Sequence, residues 1–561
     1  MTRSISAALT ALLAPGLLLP TLAADVPGDG GREQVETRAV DPESPGDPAG
    51  ADRLDLEAEG RQRHPAELDL ELPMDWTGPE PVDDLPLEVA VEDAVFLALQ
   101  HNRSLATEQL QPAIQGTFEA VERAEFDPVI FGELSVGRDR VVQQFEEDLG
   151  REPEERRTET ERIEGGLRQQ LPTGTNLELS VQSSRTDRLG DTATSPEQYS
   201  SRAGVTLTQA LLRGGRIDSN LASLRQAEID TLASVYELRG FAEALVAEVE
   251  AAYWDYVLAG ERVRIFSEAL DVAEQQLDET RRRIQVGDRP ETDETAAQAE
   301  VALRRQGLID ARNQRESSRL GLLRLMNPPG ASWDTSVEAQ DQPEVLDLPL
   351  GEVGEHVLLG RRLRPDINEA RLRIRRGELE IVRTRDGMLP RLDFFVTLGK
   401  TGYADSFGSS WRDLDGPGYD FQAGIQAEMP LFRRAEQARS DRAGFNRDQA
   451  VQAVANMRQM VDLDVRNAWL EVERTREQVE AVAVTRRLQE EVLRAEQARF
   501  EVGETTAIVV AQAQRDLLES RLEEIDAAAS WRQAVTELHR QSGTLLLRRG
   551  IAMPGDEEVV L

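Results

Sequence analysis

The sequence contains no cysteine. Disulfides, thiolate metal sites, a cysteine nucleophile and a lipid anchor on an N-terminal cysteine are therefore excluded. It has a single lysine, Lys400, so 64 of its 65 Lys and Arg side chains are arginine. Its four histidines, His64, His101, His356 and His539, are scattered and none lies at metal-ligand spacing. There is no nucleophile elbow and no phosphate loop, so the chain reads as no enzyme, with no catalytic, cofactor-binding or metal residues to name. Beyond the first 25 residues no stretch offers about 18 unbroken apolar residues, which leaves β-strands as the only route into a bilayer. A net charge of −38 argues against nucleic acid and anionic headgroups as main partners.

What is present is helical and charged. Of 561 residues 40% are hydrophobic, 30% charged and only 5% aromatic. That composition points to long, charge-decorated helices and not to a sandwich. Residues 1–24, "MTRSISAALTALLAPGLLLPTLAA", have a basic start, a short apolar run and small residues near the end, and are expected to be a secretory signal peptide. Residues 25–84 are rich in acid, Pro and Gly and read as a disordered arm. From Leu85 the spacing becomes helical, and a helix to about Glu125 with a kink at Pro112 is expected.

After Gly214-Gly215 no proline occurs until Pro290. A helix from Arg216 to Val286 would be roughly 105 Å long at about 1.5 Å per residue. Val249, Ala252, Tyr256, Ala259, Val263, Phe266, Leu270, Ala273, Leu277 and Ile284 recur at steps of three and four, with one step of seven, as a coiled-coil seam. A second helix follows from about Glu291 to Met326. Then the programme restarts. "LPLEVAVEDAVFLAL" at Leu85 is answered by "LPLGEVGEHVLLGRR" at Leu348, and "FDPVIFGELSVG" at Phe126 by "MLPRLDFFVTLG" at Met388. "TLTQALLRGGR" at Thr206 is answered by "QAEMPLFRRAE" at Gln426, and a proline-free stretch from Arg433 to Val502 leads to a last helix ending near Leu547. The expected organisation is a first repeat over 85–330, a linker at 331–347, a second repeat over 348–547 and a tail at 548–561.

Between the helices lie stretches that alternate with a period of two. Leu392, Phe394, Val396 and Leu398 alternate with Asp393, Phe395, Thr397 and Gly399. Strands are expected near 129–138, 163–171, 175–184 and 201–210, and again near 391–400 and 420–429. So few strands cannot close a barrel within one chain, and a helix with only one apolar seam must bundle with neighbours. Both features call for an oligomer.

The doubled order of helix, "FDP" or "MLP" strands, "QALLRGG" or "MPLFRR", long helix, "RIQVG" or "RFEVG" turn and helix resembles the TolC family of outer-membrane efflux channels. The resemblance covers roughly Leu85 to Leu547. It implies an α+β fold: a long α-helical coiled-coil barrel continuing into a transmembrane β-barrel, built from two tandem repeats and closed as a homotrimer. It implies a passive exit duct of a tripartite efflux pump or type I secretion system, joined to a periplasmic adaptor (membrane fusion) protein and an inner-membrane pump or ABC transporter. Location would be the outer membrane of a Gram-negative bacterium, extending into the periplasm. The alternative is a periplasmic or surface coiled-coil scaffold without a pore, which has no need of half-apolar strands.

By the same resemblance, Val286, Gly287, Val502 and Gly503 are expected at the periplasmic tips that meet the adaptor, and Asp293 in the gate region. The chain also departs from the family. Asp288 and Glu504 stand where a hydrophobic residue is usual, Val509 and Gln512 where some members have aspartates, and Phe500 where some have a gate tyrosine. Members usually give four strands each to a twelve-stranded ring. The connections at 139–162, 172–174 and 185–200 alternate long, short and long, a rhythm compatible with all four strands crossing and with 18 strands in a trimer. On the family pattern the extra hairpin at 163–184 is expected instead to be an extracellular or barrel-edge elaboration.

Overall fold

The computed structural model describes residues 86–143, 154–189, 197–287, 290–342, 350–555 and 557–559. The expected signal peptide and arm, Asp288 and linker residues 343–347 lie outside the described residues. The chain runs β1 (Leu87–Val89), α1 (Val91–His101), α2 (Arg103–Glu108), α3 (Leu110–Arg123), β2 (Val129–Gln143), β3 (Glu154–Gln170), β4 (Thr175–Leu189), β5 (Glu197–Ala210), α4 (Ala222–Gln285) and α5 (Thr292–Met326). It continues with β6 (Val337–Ala339), α6 (Val353–Leu363), α7 (Pro365–Gly387), β7 (Arg391–Ala404), α8 (Phe407–Arg412), β8 (Tyr419–Glu428), α9 (Arg434–Glu501), α10 (Ala507–Gln541) and α11 (Leu545–Arg548).

The two proline-free stretches form α4, of 64 residues, and α9, of 68. Every residue of the expected α4 seam is buried or half-buried. Lower on α4, Ala273 and Leu277 pack on Val301 of α5, which zips the first hairpin. In the second repeat Val461, Val465 and Val472 of α9 are fully buried against Trp531 and Leu538 of α10 and Val357 of α6. Each such aliphatic side chain contributes about 1.5–3 kcal/mol, so packing and not propensity holds these helices.

The strands expected from alternation all form, in one six-stranded antiparallel sheet ordered β2-β3-β4-β5-β7-β8. The hairpin expected at a barrel edge is not at an edge of this sheet. β3 and β4 lie inside the sheet, paired with each other and with β2 and β5 on either side. The expected helix from Leu85 is also different: it is split into three by Asn102 and Gln109, not kinked at Pro112. Asn102 leaves the helical region and its side chain accepts the Ser104 and Leu105 N–H groups at 2.9 and 3.0 Å, restarting the helix as an N-cap. Pro112 falls in the first turn of α3, where its missing N–H costs nothing.

A short parallel pair, β1 with β6, joins the start of the first repeat to the linker. Tyr253 of α4 ties it down, its hydroxyl lying 3.0 Å from the Val89 carbonyl and 2.8 Å from Asp341. Around it α1, α4, α5 and α11 bury Val249, Trp254, Leu322, Met326 and Leu545. Here α4 is enclosed on several sides, which explains buried residues well outside its seam.

Candidate functional site: the two-faced sheet and the paired helix turns

Strand pleating sends alternate side chains to opposite faces, and the register sorts them cleanly. One cross-strand row reads Ile130, Leu167, Leu179, Val205, Leu398 and Phe421. The row one residue away, on the other face, reads Val129, Arg168, Glu178, Thr206, Thr397 and Gln422. On the apolar face Ile130 is 84% exposed and Ile425 67%, left open by the described residues of the chain. The polar face is laced together: Arg168 to Glu178 at 3.0 Å, Thr206 to Thr397 at 3.2 Å, and Arg202 donating twice to Asp420, at 2.6 and 3.3 Å.

The apolar stretch is limited in height. Farther from the helices it gives way to Arg138 paired with Glu159 at 2.8 Å and Arg185 with Glu197 at 2.7 Å. There α8 folds back over the sheet, its buried Ser410 bonded to Ser201 at 2.7 Å and Phe407 meeting Tyr199 edge-on at 4.6 Å. An apolar band with a charged upper rim on one face, and a polar opposite face, is the wall pattern of a membrane barrel.

At the far end of the helices the two Val-Gly turns adopt one geometry. Val286 and Val502 both sit at φ −90°, ψ 3°, and Gly287 and Gly503 at φ +81° and +78°. In the second turn the Gly503 N–H donates to the Phe500 carbonyl and the Glu504 N–H to the Arg499 carbonyl, the paired bonds of a Schellman cap. Val286 and Val502 are 79% and 72% exposed. A Cβ on either glycine would meet nothing within 4 Å, so glycine is required by the backbone and not by crowding. Gly503→Ala is therefore expected to cost about 1–2 kcal/mol locally, raising amide hydrogen exchange over 498–507 without a change in global melting temperature. A drop in global stability of that size would instead place the turn in the folding core.

The structure brings both turns to one end, where Arg283 of α4 stacks at 5.9 Å from the Phe500 ring of α9. Asp293 lies half-buried in the first turn of α5, beside Glu294, where an acid complements the helix dipole. Arg281 of α4 reaches Glu294 at 2.9 Å and closes that hairpin. Among the described residues no cluster of three or more His, Asp or Glu side chains is placed to hold a metal. The hairpins also meet side by side through polar pairs: Arg262 with Asp526 at 2.7 Å, Gln276 with Gln514 at 3.0 Å and Asp255 with Gln533 at 2.9 Å. Sequence reasoning missed this seam, because its partners lie more than 200 residues apart and no local spacing announces them.

Residues 170–328 and 360–544 match the family model described as outer membrane efflux protein. No curated protein matches the sequence. Among solved structures, a membrane protein from Pseudomonas aeruginosa is similar at 21% identity, with 84% of this chain and 94% of that one covered and a TM-score of 0.59. The open state of the Neisseria gonorrhoeae MtrE outer membrane channel is similar at 19% identity over 81% and 89% of the two chains, TM-score 0.57. The outer membrane protein VceC from Vibrio cholerae is similar at 14% identity over 81% and 96%, TM-score 0.60.

Proposed function

This chain belongs to the outer membrane efflux protein family, and on that premise we propose that it is the passive exit duct of a tripartite efflux pump or type I secretion system. Three copies close the open sheets into a ring in the outer membrane, and their helix hairpins continue it through the periplasm. The paired turns at Val286-Gly287 and Val502-Gly503 meet a periplasmic adaptor, and an inner-membrane pump or ABC transporter supplies the work. The observation that carries the reading is the two-faced sheet: an apolar band for lipid on one side, a polar wall for water on the other.

Two adjacent residues of β7 test it. Val396 lies on the apolar face and Thr397 on the polar one. Val396→Arg is expected to cost about 2–4 kcal/mol in the bilayer and to abolish stable channels in planar bilayers, whereas Thr397→Arg still conducts. Equal tolerance of both changes, in a protein that stays soluble without detergent and never conducts, would favour the poreless scaffold. In the same assay Asp293→Ala is expected to alter block by divalent cations, as loss of three carboxylates near the closed end should. Unchanged block removes Asp293 from the gate.

A further inference from the structure

Among the described residues the sheet has two free edges, β2 and β8. We propose that β8 of each copy pairs with β2 of the next to make one ring of 18 strands, with β3 and β4 inside the wall, so that the membrane section is the wide part of the duct. The copy number rests on the trimeric reading above, while the strand content, direction and tilt come from the single chain.

Consecutive strands of the sheet alternate in direction, and six is even. β2 therefore runs away from the helices and β8 back toward them, so the junction between copies is antiparallel like every other pair. The hairpin cannot leave the wall cheaply. β2 and β3 pair over 15 residues and β4 and β5 over 13, so removing the hairpin breaks two full ladders. It also carries Ile163, Leu167, Leu177, Leu179 and Val181 on the same apolar face as its neighbours.

The apolar band itself reports the tilt. In β2 it runs from Ile130 up to Val136, and in β8 from Phe421 down to Ala427, toward the helices. Ile130 and Phe421 belong to one cross-strand row. The band therefore slips by six residues over five strand steps. With about 3.3 Å per residue and about 4.8 Å between strands, a band level with the bilayer requires strands tilted by about 40°, within the range of closed barrels.

Closure must keep apolar side chains on one face, so the step from β8 to the next β2 is an even number of residues, and of these only zero or two keep the tilt near the range of closed barrels. The slip per copy is then six or eight, giving tilts of about 35° or about 43°, and both close. Eighteen strands at that spacing and tilt enclose about 36 Å between backbones, against about 24 Å for twelve, since diameter grows roughly linearly with strand number. Passage is not constricted by the strand ring, and any size limit lies among the helices.

Electron cryomicroscopy of the wild-type protein in lipid nanodiscs tests this directly. The expected image is a ring of 18 strands about 36 Å across. A ring of twelve with 154–189 outside the wall overturns the inference and leaves the channel reading intact. A protein that is not trimeric, or not embedded in the disc, overturns both. Because the chain has no cysteine, the junction can be locked. Leu134→Cys combined with Ala423→Cys captures the zero-residue step, and with Ile425→Cys the two-residue step. One of the two is expected to yield a covalent trimer on non-reducing gels, and failure of both rules out the β8–β2 junction.

Discussion

Acidification is expected to destabilise the helical section through His539. Its ring lies in the last turn of α10, 6.4 Å from that of His356, and its Nδ1 has no hydrogen-bond partner among the described residues. Burial, then the charges of Arg548, His356 and Arg549, push it down to about 3. His356 is lowered too, by burial and Arg548, with Glu355 opposing. An unfolded histidine binds its proton near pH 6.5. Between about pH 6.5 and 3 the unfolded chain therefore holds a proton that folded His539 refuses, and stability falls as pH falls. At about 1.4 kcal/mol per pH unit, the loss reaches about 2 kcal/mol by pH 5 and approaches 5 kcal/mol near pH 3.

Glu243 works in the opposite direction. Burial raises its carboxyl to about 7, against the pull of Arg239 and Arg364 and with a push from Asp366. A carboxyl raised on folding destabilises as pH climbs from about 4.5 to 7, because the folded state must give up a proton it prefers to keep. The wild-type curve thus sums two opposed slopes. The informative quantity is the difference between wild type and His539→Gln, measured by denaturant unfolding in detergent at pH 7.5 and pH 5. The variant is expected to lose about 2 kcal/mol less on acidification. Parallel curves would mean that His539 is protonated in the folded protein.

Removal of Arg549 is expected to cost about 3–5 kcal/mol, as for other buried pairs that lose one partner. Its guanidinium donates to Glu250 at 2.7 Å and to Glu92 at 2.9 Å. Glu250, on the enclosed part of α4, is 1% exposed and also accepts the Thr536 hydroxyl at 2.6 Å. Arg549→Met leaves that carboxylate buried without a cation, and the joint between α1, α4, α10 and the chain beyond α11 loosens. Adding Glu250→Gln removes the stranded charge, so the double variant should recover more than half of the loss in thermal melts. If the double variant melts no higher than Arg549→Met, the damage comes from lost packing and not from charge.

The repeat, both long helices and the strand faces were legible in the sequence because each is written locally, as a seam of three and four or an alternation of two. The place of the hairpin inside the sheet was missed for a physical reason. In β3, "EERRTETERIEGGLRQQ", only the end from Ile163 faces the apolar band, and the first half extends into the charged rim, where ion pairs replace apolar alternation. β1 and β6 are three residues each, too short for any period to show. The restart at Asn102 carried a signal, an Asx cap, that the more conspicuous Pro112 obscured. The Glu250 joint and the polar seam between hairpins were illegible, since their pairing is set by packing between the two repeats. At the tips the Val-Gly turns were legible, but the stacking of Arg283 on Phe500 was not.

The bridges between helices, Arg262 to Asp526, Arg281 to Glu294 and Arg486 to Glu524, all use guanidinium. An ammonium group gives up its proton in strong alkali, whereas guanidinium in proteins does not. The helix bundle is thus fastened by cations that survive caustic conditions.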